Sequence, residues 1–236
     1  MTPERLDIIK QSLAKRQPDL TVIMENVIKP HNLAAVARTL EAVGGMNIHA
    51  ISQSSIRLSQ MSAGGVRKWI PVTRHRSIDE GIGELKEKGF KVVATTLSEK
   101  ARDFREVDYT QPTAVLVGEE LEGITDHAVA LADEHVTIPM VGMVQSLNVS
   151  VAAALVLYRA YEQREKSGIY DSCRLDEETY RKLLFEACHP QVTRYCRQKG
   201  IPYPAIDDDA EILEPVADST THTDDDFISW MKAKNL

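Results

Sequence analysis

The sequence predicts an α/β fold, a mostly parallel sheet with helices on both faces and helical extensions at both ends. Three observations lead there. Short β-branched runs alternate with longer segments of helical period between residues 21 and 166. The most apolar of the short runs, Thr113-Ala114-Val115-Leu116-Val117, lacks polar alternation and reads as a central strand buried on both faces. At 236 residues, 43% hydrophobic and 27% charged, the chain is a soluble globular protein with core enough to need no disulfide or metal staple.

The elements follow in order. Residues 4–17 predict a basic amphipathic helix with Leu6, Ile9 and Leu13 on one side. Thr21–Val27 reads as a strand. Pro30 then opens a helix to about Val43, with Leu33, Val36, Ala37 and Leu40 at helical spacing and Gly44-Gly45 as its stop. Strands are expected at Asn47–Ile51 and Trp69–Thr73. A helix runs from Ser77 to Lys88, where Ser77 and Glu80 have capping-box spacing and Gly89 follows. Lys91–Leu97 and Thr113–Val117 are strands, Gly123–Ala132 a helix, His135–Met140 a strand, and Ser146 to about Lys166 a long helix. His135 is expected to be a satisfied structural histidine. Residues 175–200 hold one or two further helices. The organisation expected is a basic helical extension over 1–20, a sheet domain over 21–166, a helical extension over 167–204 and an acidic, largely disordered tail over 205–236, in which Phe227, Ile228, Trp230 and Met231 have the makings of a short docking helix.

Charge is unevenly spread. The net charge of -7 argues against a nucleic-acid partner, but residues 1–76 carry 11 basic and 5 acidic side chains, while residues 201–236 carry 2 and 9. A polyanion responds to the local field, so the basic first third counts for more than the total. No apolar run approaches the ~18 residues of a spanning helix, and no secretory leader is visible. Cys173, Cys188 and Cys196 have neither disulfide-framework nor zinc spacing. The expectation is a cytoplasmic protein without metal and without membrane association.

The familiar nucleotide signatures are missing. Neither G-x-G-x-x-G nor G-x-x-x-x-G-K-[ST] occurs, which disfavours a dehydrogenase on a similar sheet, and there is no G-x-S-x-G nucleophile elbow. Three other segments stand at predicted carboxyl ends of strands, where open α/β sheets bind ligands. One is Pro30–Thr39, with Asn32 and Arg38 on the first two turns of one helix. Another is Val117–Ile124, where an apolar strand breaks into a glycine-bounded acidic turn. The last is Ile138–Ser150, in which a Met/Gly loop feeds a helix through Gln145, Ser146 and Asn148.

In this order the three segments resemble the motifs of the SpoU branch of the SPOUT RNA methyltransferases: N-x-x-x-x-x-R, G-x-E-x-x-G and I-P-M-x-G-x-x-x-S-L-N-x-S. Asn32 and Arg38 match the first, and Gly118, Glu120 and Gly123 the second. Ile138, Pro139, Met140, Gly142, Ser146, Leu147, Asn148 and Ser150 match the third. The likeness extends to Arg16–Val22, Asp103-Phe104-Arg105, Leu184-Phe185-Glu186 and Arg197–Pro204, and covers about residues 3–214. Those stretches are similar to the members of the family that act on guanosine 18 of tRNA.

The resemblance implies a homodimer, a carboxyl-terminal trefoil knot, S-adenosylmethionine as methyl donor, and 2'-O-methylation of a tRNA ribose. Ribosomal RNA as substrate and a catalytically silent RNA-binding relative remain the alternatives. By matching position, the implied cofactor residues are Thr95, Thr96, Leu97, Val117, Gly118, Glu119, Leu121, Ile138, Met140, Gly142, Met143 and Leu147. Glycines let backbone approach a ligand, and Ile138, Met140 and Met143 offer adaptable apolar walls. The implied catalytic set is Arg38, Asn32, Glu120, Ser146 and Asn148. Arg38 stands at the reacting centre as phosphate clamp or general base, Asn32 and Asn148 orient it or the ribose, and Ser146 and Glu120 shape the pocket. Expected RNA contacts are Arg5, Arg16, Arg67, Lys68, Arg164 and Arg197. One departure from the family pattern is Glu162, at the first of two positions that usually carry arginine; Arg164 matches the second.

Overall fold

The central strand is where its composition places it. In the computed structural model, which describes residues 1–27, 29–51, 69–98, 101–119 and 122–213, Thr113–Val117 is buried at every position and is fourth across a seven-stranded sheet. The strands are β1 (Gln17–Glu25), β2 (Gly45–Ile51), β3 (Val72–His75), β4 (Lys91–Thr95), β5 (Arg102–Asp103), β6 (Thr113–Val117) and β7 (Glu134–Thr137). Their order is β3-β2-β1-β6-β4-β7-β5, and every pairing is parallel.

Alternate residues of the same strand feed two cores. Val115 and Val117 face a cluster with Leu33, Val36 and Leu40 of α2 (Pro30–Ala42) and Ala153, Val156 and Leu157 of α5 (Val149–Lys166). Ala114 and Leu116 face Ile78, Ile82 and Leu85 of α3 (Ile78–Glu87) and Ala128 of α4 (Asp126–Leu131). Burial on both faces explains why these strands read as unbroken apolar runs.

Element ends differ from expectation where a local group intervenes. β3 starts after Pro71 rather than at Trp69, because proline donates no N–H; its carbonyl accepts from Ile48 at 3.1 Å. β7 stops at Thr137, ahead of Pro139. α4 begins at Asp126, since Gly123, at φ 72°, closes a turn with Glu119 and Thr125 is the N-cap. α5 begins only after Asn148, its N-cap. The Ser77 hydroxyl caps Glu80 N–H as expected, but the Glu80 carboxylate bonds Arg76 N–H instead of completing the reciprocal box. β5 and the 3-10 turn Phe104–Glu106 are too short to announce themselves by period. His135 is satisfied as expected, its Nε2 2.9 Å from the Val129 carbonyl.

This sheet and its helices make one compact unit, Lys15–Arg174; among the described residues, 1–14 and 175–213 make another. In the latter, α1 (Pro3–Ala14) buries Leu6, Ile9 and Leu13 and packs on α6 (Glu177–Cys188), which is followed by α7 (Pro190–Lys199). The chain is ordered through residue 213, beyond the 205 at which disorder is expected. Ile206 bridges Ile212, and Ile206 and Ala210 are buried, because His189 Nε2 and Lys10 Nζ hold the carbonyls of Ala210 and Asp208 at 2.6 and 2.5 Å. The acidic remainder from residue 214, with the docking helix expected at Phe227–Met231, lies outside the described residues.

Candidate active site

The carboxyl ends of three neighbouring strands, β4, β6 and β7, open into a cleft of about 370 Å³. That lies within the ~300–1,000 Å³ usual for small-molecule sites. Of the expected cofactor residues, Thr95, Thr96 and Leu97 line it after β4, and Val117, Gly118 and Glu119 after β6. Ile138, Met140 and Leu147 complete the set after β7. Thr95 Oγ1 donates to the Leu116 carbonyl at 3.1 Å and Thr96 N–H to the Val136 carbonyl at 2.9 Å, so the β4 loop is tied to both neighbouring strands.

Gly118 has a firmer reason to be glycine than ligand approach. A Cβ there would stand 2.0 Å from the Gly123 carbonyl oxygen. Glu119 and Gly123 exchange N–H to carbonyl bonds of 2.9 Å each, and the turn folds back against Gly118. Gly142 and Met143 stand apart from these lining residues: the chain leaves the cleft after Met140 and returns at Gln145, a Cβ on Gly142 would meet nothing, and Met143 is fully exposed. Leu121 and Glu120 lie outside the described residues.

The first and third motifs meet beside this cleft. Asn148 Oδ1 accepts from Ser150 N–H at 2.9 Å and from Ser150 Oγ at 2.5 Å, which fixes its oxygen toward the α5 N-terminus. Its amide nitrogen is thereby turned to Asn32 Oδ1, 3.3 Å away. Asn32 is buried on the first turn of α2. Ser146 lines the cleft just ahead of that cap. Arg38, on the next turns of α2, points elsewhere: it is exposed, does not line the cleft, and makes no hydrogen bond or ion pair to a described residue. Residues lining the cleft that the motifs did not single out include Glu122, Ile124, Val149 and Ala152. Val149 and Ala152 belong to an ordinary apolar helix face, which carries no signal of a site.

Two expected RNA contacts are corrected by burial. Arg164 is 0% exposed. Its guanidinium bonds Asp19 Oδ1 at 2.7 Å, Gln17 Oε1 at 3.1 Å and the carbonyls of Tyr109, Asp19 and Gln111 at 2.9, 3.2 and 2.8 Å. Burial by itself would raise the Asp19 carboxyl, but Arg164 and Arg174 hold it below the usual carboxylate range. No donor is left for a phosphate. Arg16 is likewise buried, bonded to the Gly45 carbonyl at 2.9 Å, paired with Glu41 at 3.6 Å and lying over the Trp69 ring. Arg5 and Arg197 are exposed; Arg197 pairs with Glu186 at 2.8 Å. Glu162, at the position usually basic, holds Arg159 and Lys166 at 2.7 Å each. Arg67 and Lys68 lie outside the described residues. No group of three or more His, Cys, Asp or Glu that could hold a metal, and no helix long and apolar enough to cross a membrane, occurs among the described residues.

Residues 19–158 match the model of the SpoU rRNA Methylase family, and residues 162–215 match SpoU, rRNA methylase, C-terminal. The chain belongs to the SpoU methylase family. It is similar to the tRNA (guanosine(18)-2'-O)-methyltransferase of Escherichia coli K12, at 47% identity over 90% of this chain and 94% of that one. Among solved structures, the A. aeolicus TrmH/SpoU tRNA modifying enzyme superposes with a TM-score of 0.71 at 39% identity, covering 80% of this SpoU methylase and 97% of that chain. The SpoU methyltransferase AviRb from Streptomyces viridochromogenes, in complex with the cofactor AdoMet, superposes with a TM-score of 0.56 at 26% identity, covering 64% of this chain and 59% of that one.

Proposed function

We propose that this SpoU methylase transfers a methyl group from S-adenosylmethionine to the ribose 2'-hydroxyl of guanosine 18 in tRNA, and works as a cytoplasmic homodimer. The observation that carries the reading is the cleft at the ends of β4, β6 and β7 with the Asn32–Asn148 contact at its edge. The relatives that match over most of their length are tRNA guanosine-18 methyltransferases, which favours tRNA over ribosomal RNA.

The cleft's residues suit a nucleoside with a charged tail. Val117, Ile138, Met140 and Leu147 are apolar walls for a purine, while Thr96, Glu119 and Ser146 are polar groups for hydroxyl, amino and carboxylate functions. When bound, S-adenosylmethionine supplies an already activated sulfonium methyl group, so the protein's task is placement and a path for one proton. Asn148 and Asn32 orient the first motif beside the third. Arg38 offers a planar donor fork suited to clamping the phosphate next to the target ribose. A guanidinium is a poor base, so the clamp is its first role.

Arg38 is exposed in one chain and outside its cleft, which supports a site completed by a second copy. The third-motif loop and α5 present Val141, Met143, Val144, Val151, Leu155 and Tyr158 as exposed large apolar side chains. The last three are spaced four and three apart, one stripe of a helix. A second chain covering that stripe buries it and brings a foreign α2 near the cleft. Arg5 on α1 and Arg194, Arg197 and Lys199 on α7 are exposed cations for tRNA phosphates in the helical extensions. The trefoil knot implied by the family is proposed along with this reading.

The test is methyl-labelled S-adenosylmethionine with unmodified tRNA and ribosomal RNA transcripts. Label on the ribose of guanosine 18 is expected. Label on ribosomal RNA alone would replace the tRNA reading, and label on neither would sink it.

A further inference from the structure

Glu25 ends β1 and belongs to none of the three motifs, yet it is 3% exposed and committed to one partner. Its Oε2 accepts the Thr125 N–H at 2.9 Å and its Oε1 accepts the Thr125 hydroxyl at 2.8 Å, across 100 residues of chain. The sheet register brings the two together. Met24 pairs with Val117, so Glu25, still paired with Ile51 on its other side, stands alongside Gly118, where the second-motif turn begins. The backbone at Glu25 is itself held, because Asn26 turns away at φ 54° and donates its N–H to the Ile51 carbonyl at 2.9 Å.

Thr125 is the far end of that turn. Its hydroxyl accepts from Ala128 N–H at 3.2 Å and starts α4. Between Gly118 and Thr125 run Glu119, Gly123 and Ile124, a wall of the cleft. The turn is therefore pinned at its start by β6 and at its end by a buried carboxylate. Burying a carboxylate is unfavourable unless its oxygens are hydrogen-bonded, and here two directional bonds specify one position for the group they hold.

We propose that Glu25 is a positioning residue for methyl transfer: through its two hydrogen bonds to Thr125 it holds Glu122–Ile124, against which Gly118 and Glu119 pack, in the geometry that lines the cofactor cleft. The proposal rests on the S-adenosylmethionine reading above. It assigns Glu25 no contact with substrate or cofactor.

The test measures binding of S-adenosylhomocysteine to the full chain by calorimetry, alongside the melting temperature and tRNA affinity. Thr125→Val keeps the side chain's shape and removes the hydroxyl, and Thr125→Ser keeps the hydroxyl. Thr125→Val and Glu25→Ala are each expected to weaken S-adenosylhomocysteine about tenfold or more, with tRNA affinity within twofold of wild type. The double variant should lose less than the two single losses combined, since both weaken the same link. Thr125→Ser should bind within twofold of wild type. Thr125→Val binding within twofold of wild type overturns the proposal, as does Thr125→Ser losing as much as Thr125→Val. If Glu25→Ala does not fold, the two threonine variants decide. A wild-type chain that binds no S-adenosylhomocysteine overturns the methyltransferase reading itself; a wild type that binds, with Thr125→Val binding equally, overturns only the role of Glu25.

Discussion

The side-chain amide of Asn148 donates to the carboxamide oxygen of Asn32 at 3.3 Å across 116 residues, and the same Asn148 caps α5 with its oxygen. One residue thus starts the helix behind the cleft and orients the first motif. Asn148→Ala removes a cap, worth ~1 kcal/mol, and withdraws a partner from a buried amide, so a loss of roughly 1–3 kcal/mol is expected in urea unfolding. Asn148→Asp keeps the cap and turns the donor into an acceptor facing Asn32 Oδ1. It should lose less than half as much stability while methyl transfer falls as far. Equal stability losses would mean that the cap is not the main term.

Arg38 separates chemistry from folding. Because it is exposed and bonds to no described residue, Arg38→Ala should change stability by less than about 0.5 kcal/mol. Its single-turnover methyl transfer should fall 100-fold or more, with S-adenosylhomocysteine affinity unchanged. Arg38→Lys should restore little, since an ammonium lacks the two-point fork. A single-turnover rate within tenfold of wild type, only ~1.4 kcal/mol, makes Arg38 a bystander.

Arg164 and Arg5 should respond oppositely. Arg164→Ala leaves Asp19 beside an emptied buried site, and breaking such a pair costs about 3–5 kcal/mol of stability. The salt dependence of tRNA binding, measured on whatever fraction folds, should keep its slope. Arg5→Ala should leave stability alone and lower that slope by roughly one unit. A slope that changes for Arg164→Ala would mean that the residue reaches RNA after all.

Two glycines in the motifs make a direct contrast. Gly118→Ala drives a Cβ into the Gly123 carbonyl, a backbone group that cannot swing aside. The turn must move, and S-adenosylhomocysteine binding should fall at least tenfold. Gly142→Ala enters open space within the chain and should bind within twofold of wild type. The reverse ranking would show that the Met/Gly loop, not the second-motif turn, shapes the cleft.

The acid limb of stability has an identifiable contributor. His49 is buried and stacked on His75, with Nδ1 to Nε2 at 2.8 Å; burial first, then repulsion from His75, pushes it down to about 4. Glu84 and Lys88 also face the pair and act in opposite directions. The unfolded histidine, with its ordinary value near 6.5, takes up its proton first as pH falls, so stability is full above about 6.5 and drains away toward 4. His49→Gln should flatten melting temperature against pH in that window. Parallel curves for variant and wild type would place the titrating group elsewhere.

Much of this was legible in the chain itself. Unbroken runs such as Thr113–Val117 declared buried parallel strands, helical spacing in Pro30–Ala42 declared an apolar face, and the three motif segments fell where strands end, because each of these is written in residues close together in sequence. Partnership over long separations was not. Arg164 and Arg16 look like any other basic residues, and only folding shows them sealed against Asp19 and Glu41. Gly142 and Met143 share a motif with Met140, but the loop path carries them out of the cleft. Glu25 is one acidic residue among many until parallel register sets it beside the second-motif turn and Thr125. Local patterning decides the period and burial of each element. Which side chain meets which across a hundred residues depends on register and topology, and those exist only once the sheet has formed.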